Sequence, residues 1–255
     1  MSENVEMSYR GAGAPIINPS KTNNTFNKLR REFILTEPTQ NDKEHKVSLF
    51  KLNPGAGTTV TILDSKIDYA VYLHARFQAN GKFTNNVVCT MKTTGNCRVC
   101  TVLKEKGRWF LAGTVIDHSE WAIPDGKRKG EVIRDQRRLL LVSFQQKDSF
   151  KDIQQEMGDL SGKTFKVSRS SDNKSARIGT SWFPKGALTT EQLKDKLGKV
   201  ATDYGLSVDD YIKPYDYDKL FATPSEAYID QVVEAIRSSG KDAAPVQEEQ
   251  TEIDF

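Results

Sequence analysis

The chain has 255 residues, enough for one well-buried principal core and too few for three. Hydrophobic residues make up 37% of it and mean hydropathy is -0.58, so no stretch approaches the roughly 18 to 20 apolar residues of a membrane span and a soluble protein is expected. The net charge of +3 conceals a segregation: residues 1–185 carry 30 Lys+Arg against 19 Asp+Glu, and residues 186–255 carry 7 against 15. A cationic body attracts polyanions, while an acidic end can occupy that same surface or recruit other proteins.

Residues 1–45 are rich in Asn, Thr, Gly, Pro and charge and read as a flexible basic arm, with one stretch, Phe26–Leu35, that suits a helix. The opening MSENVEMSYRGAGAP lacks the basic start and apolar run of a secretory signal, and three cysteines cannot all pair within a monomer; a reducing compartment is expected. From Val47 onward short β-type runs alternate with turn chemistry: VSLFKL, TTVTILD, IDYAVYLHARF, the Asn80-Gly81 turn, KFTNNVVC, RWFLAGTVID, RRLLLVSF, KTFKVSRS and ARIGTSWF. One helix is expected near Ser149–Met157, where Phe150, Ile153 and Met157 recur at helical spacing. Beyond Pro184, LTTEQLKDKLGKVATDYG and PSEAYIDQVVEAIR read as amphipathic helices, with Thr190 and Ser225 as caps. The expected fold is mainly β with peripheral helices, a small barrel or sandwich over 46–185, followed by a helical segment at 186–238 and an acidic, disordered tail at 239–255.

All three cysteines lie in CTMKTTGNCRVC, as Cys89, Cys97 and Cys100, which suggests a soft-metal site. Zinc takes four tetrahedral ligands, and a Cys-x-x-Cys turn supplies two thiolates to one ion. Histidine is the simplest fourth ligand, from His45, His74 or His118. If Asn80-Gly81 is a two-residue turn, Ala79 pairs with Lys82 and His74 faces Val87, so Cys89 points to the same side about 7 Å away diagonally. Hairpin geometry thus favours His74, with His118 the remaining alternative. One structural Zn2+ is expected. A zinc deaminase would place His-x-Glu ahead of Pro-Cys-x-x-Cys. Here the only such triplet, His118-Ser119-Glu120, follows the cysteines, and Asn96 stands where proline would be. Neither a Gly-x-x-x-x-Gly-Lys-Ser/Thr loop nor a Gly-x-Ser-x-Gly elbow occurs, so an enzyme is disfavoured and no catalytic residue is assigned.

The same register puts Tyr69, Val71, Leu73, Ala75 and Phe77 on a core row and Tyr72, His74, Arg76 and Phe83 on a mixed aromatic and cationic row. Lys92, Arg98, Lys104, Lys106 and Arg108 continue this pattern, followed at once by Trp109 and Phe110. Single strands present bare base faces, so aromatic platforms stack on them while Lys and Arg follow the phosphates, without regard to sequence. Lys127, Arg128, Lys129, Arg137 and Arg138 add to the basic field, and Trp182 and Phe183 are further aromatic candidates.

With these residues in view, the chain resembles the single-stranded-DNA-binding proteins of tailed phages, the helix-destabilising replication family. The resemblance runs over about residues 47–185, from NCRVC through GRWFLAGTVID, RRLLLVSFQQKDSFKDI and GDLSGKTFKVSRS to TSWF. It implies an OB-fold barrel with an inserted His-Cys-Cys-Cys zinc site, here His74, Cys89, Cys97 and Cys100, preceded by a basic self-association arm with Lys28, Arg30 and Arg31. It also implies that the acidic end, Glu248, Glu249, Glu252, Ile253, Asp254 and Phe255, docks replication partners such as polymerase, helicase-primase or recombinase, and lies on the cationic groove when DNA is absent. The setting it implies is the cytoplasm of an infected bacterial host. A zinc-dependent nuclease and a zinc-ribbon transcription or assembly factor are the competing classes.

Overall fold

The computed structural model describes residues 33–35, 46–74, 78–79, 82–83, 86–122 and 129–239. Strand β1 (Phe33–Leu35) pairs antiparallel with β2 (Lys46–Ser48). The end of the stretch expected to be helical, Phe26–Leu35, is therefore extended; its remainder lies outside the described residues. Next come β3 (Gly57–Ile62), β4 (Tyr69–His74), the short hairpin of β5 (Gln78–Ala79) and β6 (Lys82–Phe83), and β7 (Val87–Val88). Two brief helices, α1 (Met91–Thr94) and α2 (Arg98–Val102), carry the cysteine segment into β8 (Arg108–Asp117). Strands β9 (Trp121–Ala122) and β10 (Val132–Ile133) form a ribbon ahead of β11 (Gln136–Ser143). A 3-10 turn, Phe144–Gln146, leads into α3 (Lys147–Met157), and β12 (Lys163–Ser168) and β13 (Ser181–Ala187) complete the sheet.

β8 organises the sheet. Its Trp, Phe, Thr, Val and Ile content suits a strand buried on both faces. One edge of β8 pairs along its length with β11, while the other is shared: β3 takes Val115–Asp117 and β4 takes Arg108–Ala112. The path runs β13-β12-β3-β8-β4-β7, with every ladder antiparallel. Among the described residues, β11 has on its outer side only an isolated parallel bridge, Leu49 to Leu139. The result is a mixed α+β fold dominated by antiparallel sheet. It does not close into the barrel expected from the sequence, because none of these ladders joins β13 to β7 or β11.

Where β3 departs from β8 and β4 arrives, Asp64 stands in for a strand. Its carboxylate accepts the Thr114 N–H at 2.5 Å while the Leu63 N–H donates to the Thr114 carbonyl at 2.9 Å. Gly113, one residue earlier, leaves room for Ile67: a Cβ there would stand 3.2 Å from that side chain.

One face of the sheet packs Val60, Ile62, Val115, Leu140, Val142, Phe165 and Val167 with Phe50 and Leu160, and with Phe150, Ile153 and Met157 of α3. The opposite face is covered by the chain beyond β13. Helix α4 (Thr190–Asp203) begins at a capping box in which Thr189, one residue before the expected cap, and Gln192 bond each other's backbone. Its Leu193, Leu197 and Ala201 pack on Leu63 and Ile116. Short helices α5 (Val208–Tyr211) and α6 (Tyr217–Leu220) follow, the latter setting Leu220 beside Val71, Leu73 and Leu139. Helix α7 (Glu226–Ser239) comes last; Ser225 Oγ accepts the Tyr228 N–H at 3.2 Å, as a cap should. The 186–238 segment is thus a layer of the fold. No helix among the described residues is long and apolar enough to cross a membrane.

Candidate metal centre and its aromatic rim

The hairpin keeps the register that Asn80-Gly81 dictates: Ala79 opposes Lys82, His74 opposes Val87 and Leu73 opposes Val88. Cys89 continues it, its N–H donating to the Tyr72 carbonyl at 2.9 Å, so Tyr72, His74, Val87 and Cys89 share one face. Thr90 then organises the knuckle. Its carbonyl accepts the Thr93 and Thr94 N–H groups to start α1, and its hydroxyl donates to the Asn96 carbonyl at 2.6 Å. Gly95 reverses the chain with φ of 73°, a conformation in which glycine is unstrained. Cys97 is extended and α2 begins immediately after it, folding Cys100 back toward the same point.

Four ligand atoms converge there. The ligand atoms of His74, Cys89, Cys97 and Cys100 all lie within 4.8 Å of one another. Nε2 of His74 is 3.2 Å from Cys97 Sγ and 3.7 Å from Cys100 Sγ, and the Cys89 and Cys100 sulfurs are 3.6 Å apart. A tetrahedral ion with metal–sulfur bonds of about 2.3 Å and a metal–nitrogen bond of about 2.0 Å requires sulfurs about 3.8 Å apart and sulfur about 3.5 Å from nitrogen. The cluster therefore has the spacing and donor set for one metal ion, and His74, Cys89 and Cys97 are buried.

Its electrostatics are compatible with a cation. Burial opposes ionisation of Cys97, yet the His74 imidazole and the Cys100 and Thr90 amides outweigh it and hold that thiol down to about 5. Burial, helped by the neighbouring sulfurs, pushes Cys89 up to about 12, and burial likewise raises Cys100. Without a metal the site favours one thiolate; a dication permits all three.

His118 lies elsewhere. Its Nε2 is 2.8 Å from Thr61 Oγ1, while Nδ1 meets the Asp135 carboxylate and stands 3.1 Å from Lys196 Nζ, joining the ends of β3 and β8 to α4. The alternative ligand is thereby excluded.

Beside the cluster the Tyr72 ring packs against Trp109, centroids 5.0 Å apart, with Lys92 Nζ 5.7 Å from the Tyr72 centroid. Gly107 lies flat beneath that ring, since a Cβ there would be 2.6 Å from a Tyr72 carbon. Trp109 is 42% exposed, and Lys104 and Lys106, in the segment leading into β8, are exposed; Arg108 is exposed too, but as the strand neighbour of Trp109 it points to the opposite face. Phe110, expected beside them, points the other way by strand alternation and packs near Leu73 and Leu139. Trp182 is likewise in the core, edge-on to Phe50, Phe150 and Phe165, while Phe183 faces out. Arg98 is not an open cation: it is 2.8 Å from Asp230 and 4.0 Å from Glu234 of α7. Arg138 is buried in an ion pair with Asp117 at 3.0 Å, and Arg137 bonds the carbonyls of Asp210 and Lys213 with its guanidinium 4.4 Å from the Tyr215 ring centroid. Both hold the fold. Arg76, Lys127, Arg128 and the tail from Glu248 to Phe255 lie outside the described residues, as does the side chain of Phe83.

Sequence reading missed Phe144 and Lys147. The β8–β11 ladder pairs Phe110 with Ser143, so Phe144 follows at the level of Trp109; it is 56% exposed, with Lys147 Nζ 4.5 Å over its ring. Extending the alternation one residue past β11 would have found it. No family model, curated protein or solved structure matches the chain.

Proposed function

We propose that the chain is a sequence-independent single-stranded-DNA-binding protein of phage replication, recombination and repair, OB-fold-like in descent, with one structural Zn2+ on His74, Cys89, Cys97 and Cys100. The observation that carries this reading is the exposed ring of Trp109, set against Tyr72 beside the metal cluster, with Lys92 over the Tyr72 ring and the exposed Lys104 and Lys106 in the segment that leads into β8. Aromatic faces accept bases and the lysines follow phosphate, a combination duplex DNA cannot use because its bases are stacked inside. Phe144, exposed with Lys147 over its ring, offers a second aromatic face paired with a cation. Four protein ligands leave a tetrahedral zinc no open position for water, so the metal's role is structural, and the reading assigns the chain binding rather than catalysis. The acidic end, Glu248 to Phe255, recruits replication enzymes and competes with DNA for the basic surface, in the host cytoplasm.

Intrinsic fluorescence tests this directly. Of the three tryptophans, Trp182 is in the core and Trp109 is among the exposed apolar side chains. Oligothymidylate should quench the emission, with an affinity whose logarithm falls by about 0.7 per neutralised phosphate for each tenfold rise in salt. An unchanged spectrum at saturating oligonucleotide in dilute buffer would refute the reading.

A further inference from the structure

The metal cluster is roofed by the last helix, and the contact is made by the part of the knuckle that the metal itself must position. Ile229 and Val233, one turn apart on α7, are buried with Val99, Cys97 and Val87, and Val232 packs beside them. At the rim Asp230 and Glu234 reach Arg98. The seam is not continuous core: a cavity of about 90 Å³ remains between the two, lined by Thr90, Asn96, Arg98, Pro224 and Asp230 among others.

Helix α2 has five residues, far below the roughly 12 to 15 at which an isolated helix becomes even marginal in water. Its place is set by Cys97 at its cap and Cys100 within it, two of the four ligands. Between those ligands stand Arg98 and Val99, the two residues that α7 grips. Remove the cation and three sulfurs and an imidazole within 4.8 Å lose the charge that holds them together. The short helix then loses its two metal-bound anchors and keeps only the packing of Val99 and the Arg98 ion pairs, so the surface α7 rests on is loosened with it.

We infer that the metal gates the carboxyl-terminal helix: α7 is docked while the cluster holds its ion and released when the ion is withdrawn, exposing the Val99 wall and returning the Arg98 guanidinium to solvent. This rests on the zinc reading of the cluster and is independent of DNA binding. Docking and metal affinity must then be reciprocal, each strengthening the other by the same factor.

Hydrogen exchange on the full chain, with metal content followed by elemental analysis, tests it. Stripping zinc with a strong chelator should speed exchange of the α7 amides at least tenfold while the β8 and β11 amides change less than twofold. Val233→Asp, which removes no ligand, should release α7 with zinc still bound and make chelator extraction correspondingly faster. Unchanged α7 protection after verified removal of zinc, loss of protection in all elements together, or unaltered zinc affinity in Val233→Asp would each overturn the gating while leaving the metal centre standing. A purified chain that neither holds nor takes up zinc would overturn the metal centre and the gating with it.

Discussion

Asp64 offers a quantitative test of how the sheet is joined to its carboxyl-terminal layer. The residue is 6% exposed and accepts the Thr114 N–H and the Tyr217 hydroxyl, the latter at 2.7 Å. Burial raises its pKa from 3.8 to about 6, against the pull of those two donors. Below about pH 4 the carboxyl is protonated in both the folded and unfolded chain. Between about 4 and 6 the unfolded chain ionises first, so the folded chain binds more protons and stability falls as pH rises. Two pH units at 1.36 kcal/mol each give a cost of about 3 kcal/mol that is complete above about pH 6. Asp64→Asn removes that ionisation, at a cost of about 1 kcal/mol because its amide supplies one acceptor where the carboxylate supplies two. Urea denaturation from pH 4 to 7 should therefore show the variant slightly less stable than wild type at pH 4 and about 2 kcal/mol more stable at pH 7. A stability difference that stays flat over this window would refute a buried, destabilising carboxylate at the junction.

Three further outcomes are expected. Cys97→Ser should lose stoichiometric zinc and melt at lower temperature, whereas His118→Asn should keep its metal; elemental analysis of both variants checks the ligand set. Trp109→Ala should weaken oligothymidylate binding by about 1 to 3 kcal/mol, roughly 5- to 150-fold, with only a modest fall in melting temperature from the lost Tyr72 contact. Arg138→Met should destabilise the fold by about 3 to 5 kcal/mol in chemical denaturation, since it strands the Asp117 carboxylate in the interior; a loss below about 1 kcal/mol would contradict the buried pair.

What could be read from the sequence was whatever local chemistry decides. Reading Asn80-Gly81 as a two-residue turn sets a hairpin register, and with it the convergence of His74 and Cys89, and the pairs Ala79–Lys82 and His74–Val87 keep that register. The three clustered cysteines announce their shared target in the same way. Helices α3, α4 and α7 were visible through apolar spacing and caps, to within a residue or two. Long-range pairing was not visible. Arg98 and Arg138 look like ordinary surface cations until Asp230 and Asp117 arrive from elsewhere in the chain. Trp109 and Phe110 are equally good platforms until the strand's alternation is anchored by its neighbours, which send one outward and the other into the core. Closure of the sheet was also out of reach, because strand propensity is silent on which edges meet; β8 shares one edge between β3 and β4, and the junction is made by a side chain, Asp64.

The central claim is that Trp109, Tyr72 and their lysines take unpaired bases. Competition between labelled oligothymidylate and unlabelled competitors, single-stranded or duplex and of equal length, at one fixed salt concentration, measures it most directly. The single strand should displace the label at a concentration at least tenfold lower than the duplex. Equal displacement by the two, or a preference for duplex, would contradict it.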